Sequence, residues 1–309
     1  LTQYAVIAAE GADAVQFLHS QLTNDIKSLS ENHACLAGYC STKGRLLATL
    51  LVWKTAKTTE ETVFLELPAE LQESFQKRLQ VYVMRSKVTL SHITGSTALL
   101  GILGNAAALQ LAEWFPSLPT TPYESVHNEA GILIRLADAQ DMPRYQWVMN
   151  QQVCEQIWPT LSEKLPILPE HIWSLSEIHA GIPHILLATQ EKFVPQMVNY
   201  ELIGGVNFKK GCYPGQEIVA RSQYLGKQKR RMVLAQIDNA IVQEGTEIFA
   251  IDDESQPCGM IVNAQPNEFD GSDCLVEIKT ISMNDGVVRL RSGEVCRWLD
   301  MPYSLPSGE

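Results

Sequence analysis

The chain has 309 residues, 45% hydrophobic and 19% charged, with seven cysteines and a formal net charge of −11. That length predicts two or three subdomains with real cores, and the acidic balance argues against a protein coated for nonspecific nucleic-acid binding. The longest apolar run, Leu46 to Trp53, is strand-sized and no membrane span is expected. An odd number of cysteines without any C-x-x-C reads as reduced thiols in a cytoplasm, not as a disulfide framework or a resident zinc or iron–sulfur site.

In chain order the pattern interleaves helix and strand. Leu1 reads as the residue after a removed Met, with no secretory signal following. Tyr4 to Ala8 predicts a strand, Ala12 to Leu22 a helix with Ala14, Phe17, Leu18 and Leu22 on one face, and Ala34 to Trp53 a hairpin turning at Lys43-Gly44. His33, Cys35 and Cys40 lie on that hairpin's first arm and are not read as metal ligands. Further strands are predicted at Thr62 to Leu67, Leu99 to Leu103, Gly131 to Leu136 and Tyr145 to Met149, and helices at Ala69 to Tyr82, Ala106 to Trp114 and Gln151 to Leu165. Pro116 to Pro122 reads as a loop. Glu170 to Leu175 opens another helix, carrying Trp173 and, further along, Glu177 and His179. From Met232 the character changes to six short β-like runs, ending with Val295 to Leu299, at barrel-like spacing. The fold class expected is α+β: a body over residues 1–231, in two subdomains, followed by a small C-terminal β-barrel over 232–309.

The most informative segment is Phe208-Lys209-Lys210-Gly211-Cys212-Tyr213-Pro214-Gly215-Gln216-Glu217. Gly211 and Gly215 permit a sharp turn, and Pro214 suits the first turn of a helix starting there. Ile218, Val219 and Ala220 supply its apolar stripe, and Glu217 complements the helix dipole. Cys212 is expected just before the helix's positive end and behind two lysines, which favours thiolate over thiol. The other reading of such a cysteine is core material in a turn. Between residues 209 and 231, Lys209, Lys210, Arg221, Lys227, Lys229, Arg230 and Arg231 stand against Glu217 alone, a local excess of six positive charges. This block reads either as a site for an anionic ligand, such as a carboxylate tail or an RNA backbone, or as a solvated helix end and linker. Trp173 reads either as core or as a flat face for a bound heterocycle. The seven histidines are scattered, and no general acid–base pair or hydrolase triad is apparent.

The string KGCYPGQE, continuing through Ile218-Val219-Ala220-Arg221, resembles the signature of the YgfZ family of folate-binding, tRNA-modification-linked proteins, relatives of the glycine-cleavage aminomethyltransferase. Gly11-Ala12-Asp13, the stretch Phe17 to Asp25, Lys43-Gly44-Arg45, Trp173 with His179 to Pro183, Leu202 to Phe208 and the closing Pro302-Tyr303-Ser304-Leu305 are similar to further pieces of that family. The resemblance implies an aminomethyltransferase-like folate-binding body and tetrahydrofolate or a folate derivative as cofactor. It also implies iron–sulfur enzymes, including tRNA-thiolating ones, as partners, with a possible weak tRNA contact. Cys212 would be the reactive group, with Lys210, Gly211, Tyr213, Gly215, Gln216 and Glu217 as its motif. Trp173, Tyr4, Glu177 and Arg221 would contact the folate, Tyr4 standing where relatives usually carry Trp. Ser41 stands where relatives often have an acidic residue. Aminomethyltransferases typically carry an acidic residue where this chain has Cys212, which argues against their lipoyl-linked chemistry. Two alternatives stay open: a folate-dependent one-carbon transferase, and a noncatalytic RNA- or protein-binding adaptor.

Overall fold

A computed structural model describes residues 1–56, 61–225, 228–284 and 286–306. The alternating apolar runs become three antiparallel sheets. The first has the order β2-β3-β4-β1-β5 and is built from β1 (Tyr4–Glu10), β2 (Ala34–Cys40), β3 (Leu46–Ala56), β4 (Glu61–Pro68) and β5 (Thr89–His92). The second, of order β6-β9-β8-β7, uses β6 (Thr97–Leu103), β7 (Ser125–Asn128), β8 (Gly131–Ala139) and β9 (Met142–Asn150). β1 pairs with β4 from Tyr4 opposite Pro68 to Ala9 opposite Val63, and β6 pairs with β9 from Thr97 opposite Asn150 onward.

Four helices accompany these sheets: α1 (Ala14–Gln21), α2 (Gln72–Val83), α3 (Asn105–Leu111) and α4 (Gln151–Lys164). α1 buries Ala14, Phe17 and Leu18 and packs on β4, while α2 turns Phe75, Leu79 and Val83 inward on β1. That i, i+4 spacing puts the three on one stripe of the helix. α3 and α4 cover β6 and β9 around Trp147, which meets Phe115 edge-on at 5.2 Å. Two short strands, β5 and β7, have no counterpart in the sequence reading, because short, mostly polar strings such as Thr89-Leu90-Ser91-His92 and Ser125-Val126-His127-Asn128 offer little apolar alternation.

The C-terminal strands form the third sheet, of order β14-β11-β12-β13-β10-β15. They are β10 (Arg230–Ile237), β11 (Glu247–Ala250), β12 (Gly259–Pro266), β13 (Ser272–Lys279), β14 (Val288–Leu290) and β15 (Cys296–Leu299). A single bridge between Arg289 and Val295 nearly closes it into a barrel. Its interior holds Ile237, Ile248, Ile261, Val276 and Ile278, and the six strands lie where the sequence spacing places them. The remaining helices are α5 (Glu170–His179), α6 (Gln216–Leu225) and a short α7 (Thr280–Asn284) that the sequence reading omits. No helix among the described residues is long and apolar enough to cross a membrane.

The chain divides into two compact units, each assembled from two stretches. Unit 1 takes Leu1–Ala37 and Leu50–Glu170; unit 2 takes Gly38–Thr49 and His171–Glu309. The turn end of the β2–β3 hairpin therefore belongs with the C-terminal half of the sequence.

Candidate functional site

Within unit 2 the signature folds as an irregular loop running into α6. Lys210 and Tyr213 are buried and Gly211 and Cys212 exposed, so two inward side chains anchor a segment that presents the thiol outward. The Lys210 ammonium stands 4.9 Å from the centre of the Tyr213 ring, a cation–π contact inside the loop. Burial pushes the Tyr213 hydroxyl well above its ordinary range, which keeps it neutral. All seven cysteines lie in described residues, and Cys212 is the exposed one. Burial raises the thiols of Cys40 and Cys296 to about 12, as expected of inert core sulfur.

α6 begins at Gln216, so Pro214 lies in the turn before it and not in its first turn. Gly215 occupies the left-handed region at φ +79°, and its carbonyl accepts from the backbone N–H groups of Ile218 and Val219 at 3.1 and 3.2 Å. Glu217 is exposed in the first helical turn, and Gln216 is partly covered. The expected stripe of Ile218, Val219 and Ala220 is corrected by the structure: Val219 is fully buried, whereas Ile218 is exposed. Consecutive helical residues are about 100° apart, so three in a row cannot share one face.

A second motif of the sequence comes to rest on this loop. The β2–β3 hairpin turns through Ser41 to Arg45, where the Ser41 N–H donates to the Arg45 carbonyl at 2.8 Å and the Gly44 N–H to that of Ser41 at 2.9 Å. A Cβ on Gly215 would stand 2.6 Å from the Gly44 Cα and would overlap the Ser41 carbonyl oxygen. A Cβ on Gly44 would lie 2.9 Å from the Ile218 Cβ. The two glycines thus allow backbone to meet backbone, and the Lys43-Gly44 turn and the cysteine signature form one structure. The buried Ser41 hydroxyl beside Gly215 has no hydrogen-bond partner among the described residues. The hairpin is tied down further by Arg45, whose guanidinium donates to the carbonyls of Glu191 and Lys192.

Another pair of motif pieces meets in the same unit. The Tyr303 hydroxyl donates to the Gly181 carbonyl at 3.0 Å, and its ring lies against that glycine. The C-terminal PYSL run therefore packs on the His179 to Pro183 segment.

On α5, Trp173 is 3% exposed and Glu177 6%. Their i, i+4 spacing places an aromatic face and a buried carboxylate one turn apart on the same side of the helix. Glu177 Oε2 lies 3.1 Å from Nε2 of His184. Asn263 of β12 holds the His184 backbone from both sides, accepting from its N–H and donating to its carbonyl, each at 2.9 Å. At the end of α5, His179 Nε2 meets Asp273 Oδ2 at 2.8 Å. Burial draws the Asp273 carboxyl upward, but hydrogen bonds from His179 and Asn267 outweigh it and hold the group below the usual carboxylate range. His184, Asn263 and Asp273 escaped the sequence reading, since nothing linear connects residues of α5 to β12 and β13. Tyr4 lies in unit 1, buried on β1.

The basic block is sorted by the fold. Arg231 pairs with the buried carboxylate of Glu201 at 2.5 Å and donates to the Gln196 carbonyl at 3.0 Å. Arg230 grips Glu277 through both oxygens, at 2.8 and 2.7 Å. Lys210 is buried, Lys209, Arg221 and Lys229 are exposed, and Lys227 lies outside the described residues. Two of the block's seven cations are thus neutralised by buried carboxylates. No group of three His, Cys, Asp or Glu among the described residues is placed to hold a metal ion.

The fold is that of the aminomethyltransferases. The crystal structure of glycine cleavage system aminomethyltransferase T from Bartonella henselae matches 97% of this chain and 83% of its own at a TM-score of 0.73, with 14% sequence identity. No protein-family model matches the chain. Sequence similarity narrows the class: the chain is 31% identical to the tRNA-modifying protein YgfZ of Photorhabdus laumondii over 99% of its own length and 92% of the relative's. It is 28% identical to the YgfZ of Colwellia psychrerythraea over the same shares, and 31% identical to that of Serratia proteamaculans over 75% of this chain and 68% of the relative. The chain belongs to the YgfZ family.

Proposed function

We propose that the protein binds a folate and, through Cys212, supports iron–sulfur enzymes that modify tRNA. The observation that supports this reading is the exposed thiol on a loop anchored by Lys210 and Tyr213 and braced by Gly44, the accessible and fixed setting that thiol chemistry requires. The relatives are named as tRNA-modifying proteins, and the fold is shared with a glycine cleavage system aminomethyltransferase.

The residues present fit a folate. A pterin offers an amino group and ring N–H donors, which a buried carboxylate such as Glu177 accepts, and a flat ring, which Trp173 stacks. Arg221, exposed on α6 of the same unit, is assigned as the partner of the glutamate tail. His184, hydrogen-bonded to Glu177, fixes that carboxylate's orientation. When bound, a reduced folate supplies a carrier for a one-carbon unit.

Calorimetric titration with tetrahydrofolate and its methylene and formyl forms tests the binding half. Trp173→Ala is expected to weaken it by about 1–2 kcal/mol, and unchanged affinity would assign the ring to packing. Cys212→Ser should retain folate affinity yet fail to restore tRNA thiolation in a strain lacking the protein; full restoration would remove the thiol from the mechanism. Conversion of the methylene form during the titration would favour one-carbon transfer, the reading closest to the shared fold.

A further inference from the structure

A second group of exposed cations lies in unit 1, away in sequence from the cysteine signature. Residues 72–87 carry Lys77, Arg78, Arg85 and Lys87 against Glu73 alone, in a chain of net charge −11. Glu73 is committed to Lys77, one turn along the helix at 2.5 Å. Arg78 and Arg85 are both exposed, and neither makes an ion pair among the described residues. Between them stand three side chains that a soluble surface ordinarily covers: Val81 at 71% exposure, Tyr82 at 45% and Met84 at 86%.

Helix geometry makes this one surface. With Phe75, Leu79 and Val83 turned inward, Val81 falls on the outward side of α2 and Arg78 and Tyr82 on one flank, one turn apart. The helix then ends abruptly at Met84, whose φ of 44° and ψ of −103° lie outside the basins open to a side-chain-bearing residue. Strain of that kind concentrates at active sites, ligand clamps and switch regions.

We propose that this surface, centred on Arg78, Tyr82 and Arg85, binds a single-stranded segment of RNA. Guanidinium groups bind phosphate bidentately, and a half-exposed tyrosine ring flanked by apolar side chains stacks a base without regard to its identity. A membrane would call for a broader apolar face than Val81, Tyr82 and Met84 provide. The family's tRNA-modifying relatives make RNA the polyanion at hand. The proposal goes beyond the folate and thiol reading and needs neither.

The test uses the whole chain and an oligouridylate end-labelled with fluorescein, followed by anisotropy across a salt series. Charge reversal at both Arg78→Glu and Arg85→Glu is expected to weaken binding at least about tenfold. It should also flatten the slope of log affinity against log salt by about 1.4, since each contact to single-stranded phosphate contributes about 0.7. Tyr82→Ala should lose about fivefold or more, with Tyr82→Phe retaining affinity because only the ring face is used. Far-UV circular dichroism and folate titration of these variants should match the wild type. RNA affinity unchanged by the double reversal overturns the proposal. So does a loss equalled by Lys27→Glu, an exposed control, or a wild-type chain that captures anionic vesicles through these residues but no RNA.

Discussion

Residues 209–231 and residues 72–87 both concentrate cations in an acidic chain, and the fold treats an arginine pair in each in opposite ways. In the first, Arg230 and Arg231 reach buried carboxylates and Lys210 lies over a tyrosine ring. In the second, Arg78 and Arg85 stay in solvent beside an exposed tyrosine. Charge density along a sequence therefore says little about surface potential until the counter-charges are located. Glu201 and Glu277 are far in sequence from the arginines' own neighbourhood charges, and only the folded chain joins them.

The sharpest way to break the comparison is to expose the difference as stability. Glu201→Ala leaves a buried guanidinium without its carboxylate and should destabilise unit 2 by about 3–5 kcal/mol in urea unfolding. The same pair has a pH signature. Desolvation raises the Glu201 carboxyl above its usual range although Arg231 opposes the shift. A raised folded-state pKa means the group's contribution is fully present below the unfolded value of about 4.5 and is lost as pH rises through the folded one. Wild-type stability should accordingly fall with rising pH just above 4.5 relative to Glu201→Gln, and parallel curves would show that Glu201 does not titrate in the folded state.

Gly215→Ala comes next. It places a Cβ against the Gly44 backbone at a left-handed position, with an expected loss of about 2–4 kcal/mol from strain and overlap together. Gly44→Ala should add little further, because the two substitutions disrupt one contact; full additivity in the double variant would show that the glycines act separately. Smallest of all is the effect on stability of Arg78→Ala with Arg85→Ala, within about 0.5 kcal/mol of wild type, as for exposed side chains with no partner. A larger loss would mean that α2's arginines are structural after all.

What the sequence carried was local. The six barrel strands were legible because each is a short apolar run bounded by turn residues, and α1, α2 and α4 because their periodicity spans several turns. β5 and β7 were not, their residues being too polar to show alternation. At the site, Cys212 is exposed on its motif loop, and Trp173 with Glu177 share a face as helical spacing dictates. The seat of Gly44 on Gly215, the clasp of Tyr303 on Gly181 and the pairing of Glu177 with His184 are contacts between distant stretches. Side-chain identity alone does not encode such partners.

The contact of Gly44 with Gly215 also bears on the order of events during synthesis. The two glycines lie about 170 residues apart in the chain, which at a translation rate of roughly 5–20 residues per second separates their emergence by roughly 10–30 s. The early hairpin has to wait, its turn end unoccupied, until the signature leaves the ribosome and settles on it. A nascent or truncated chain ending before residue 215 therefore lacks the braced thiol, and Cys212 acquires its setting only late in the making of the protein.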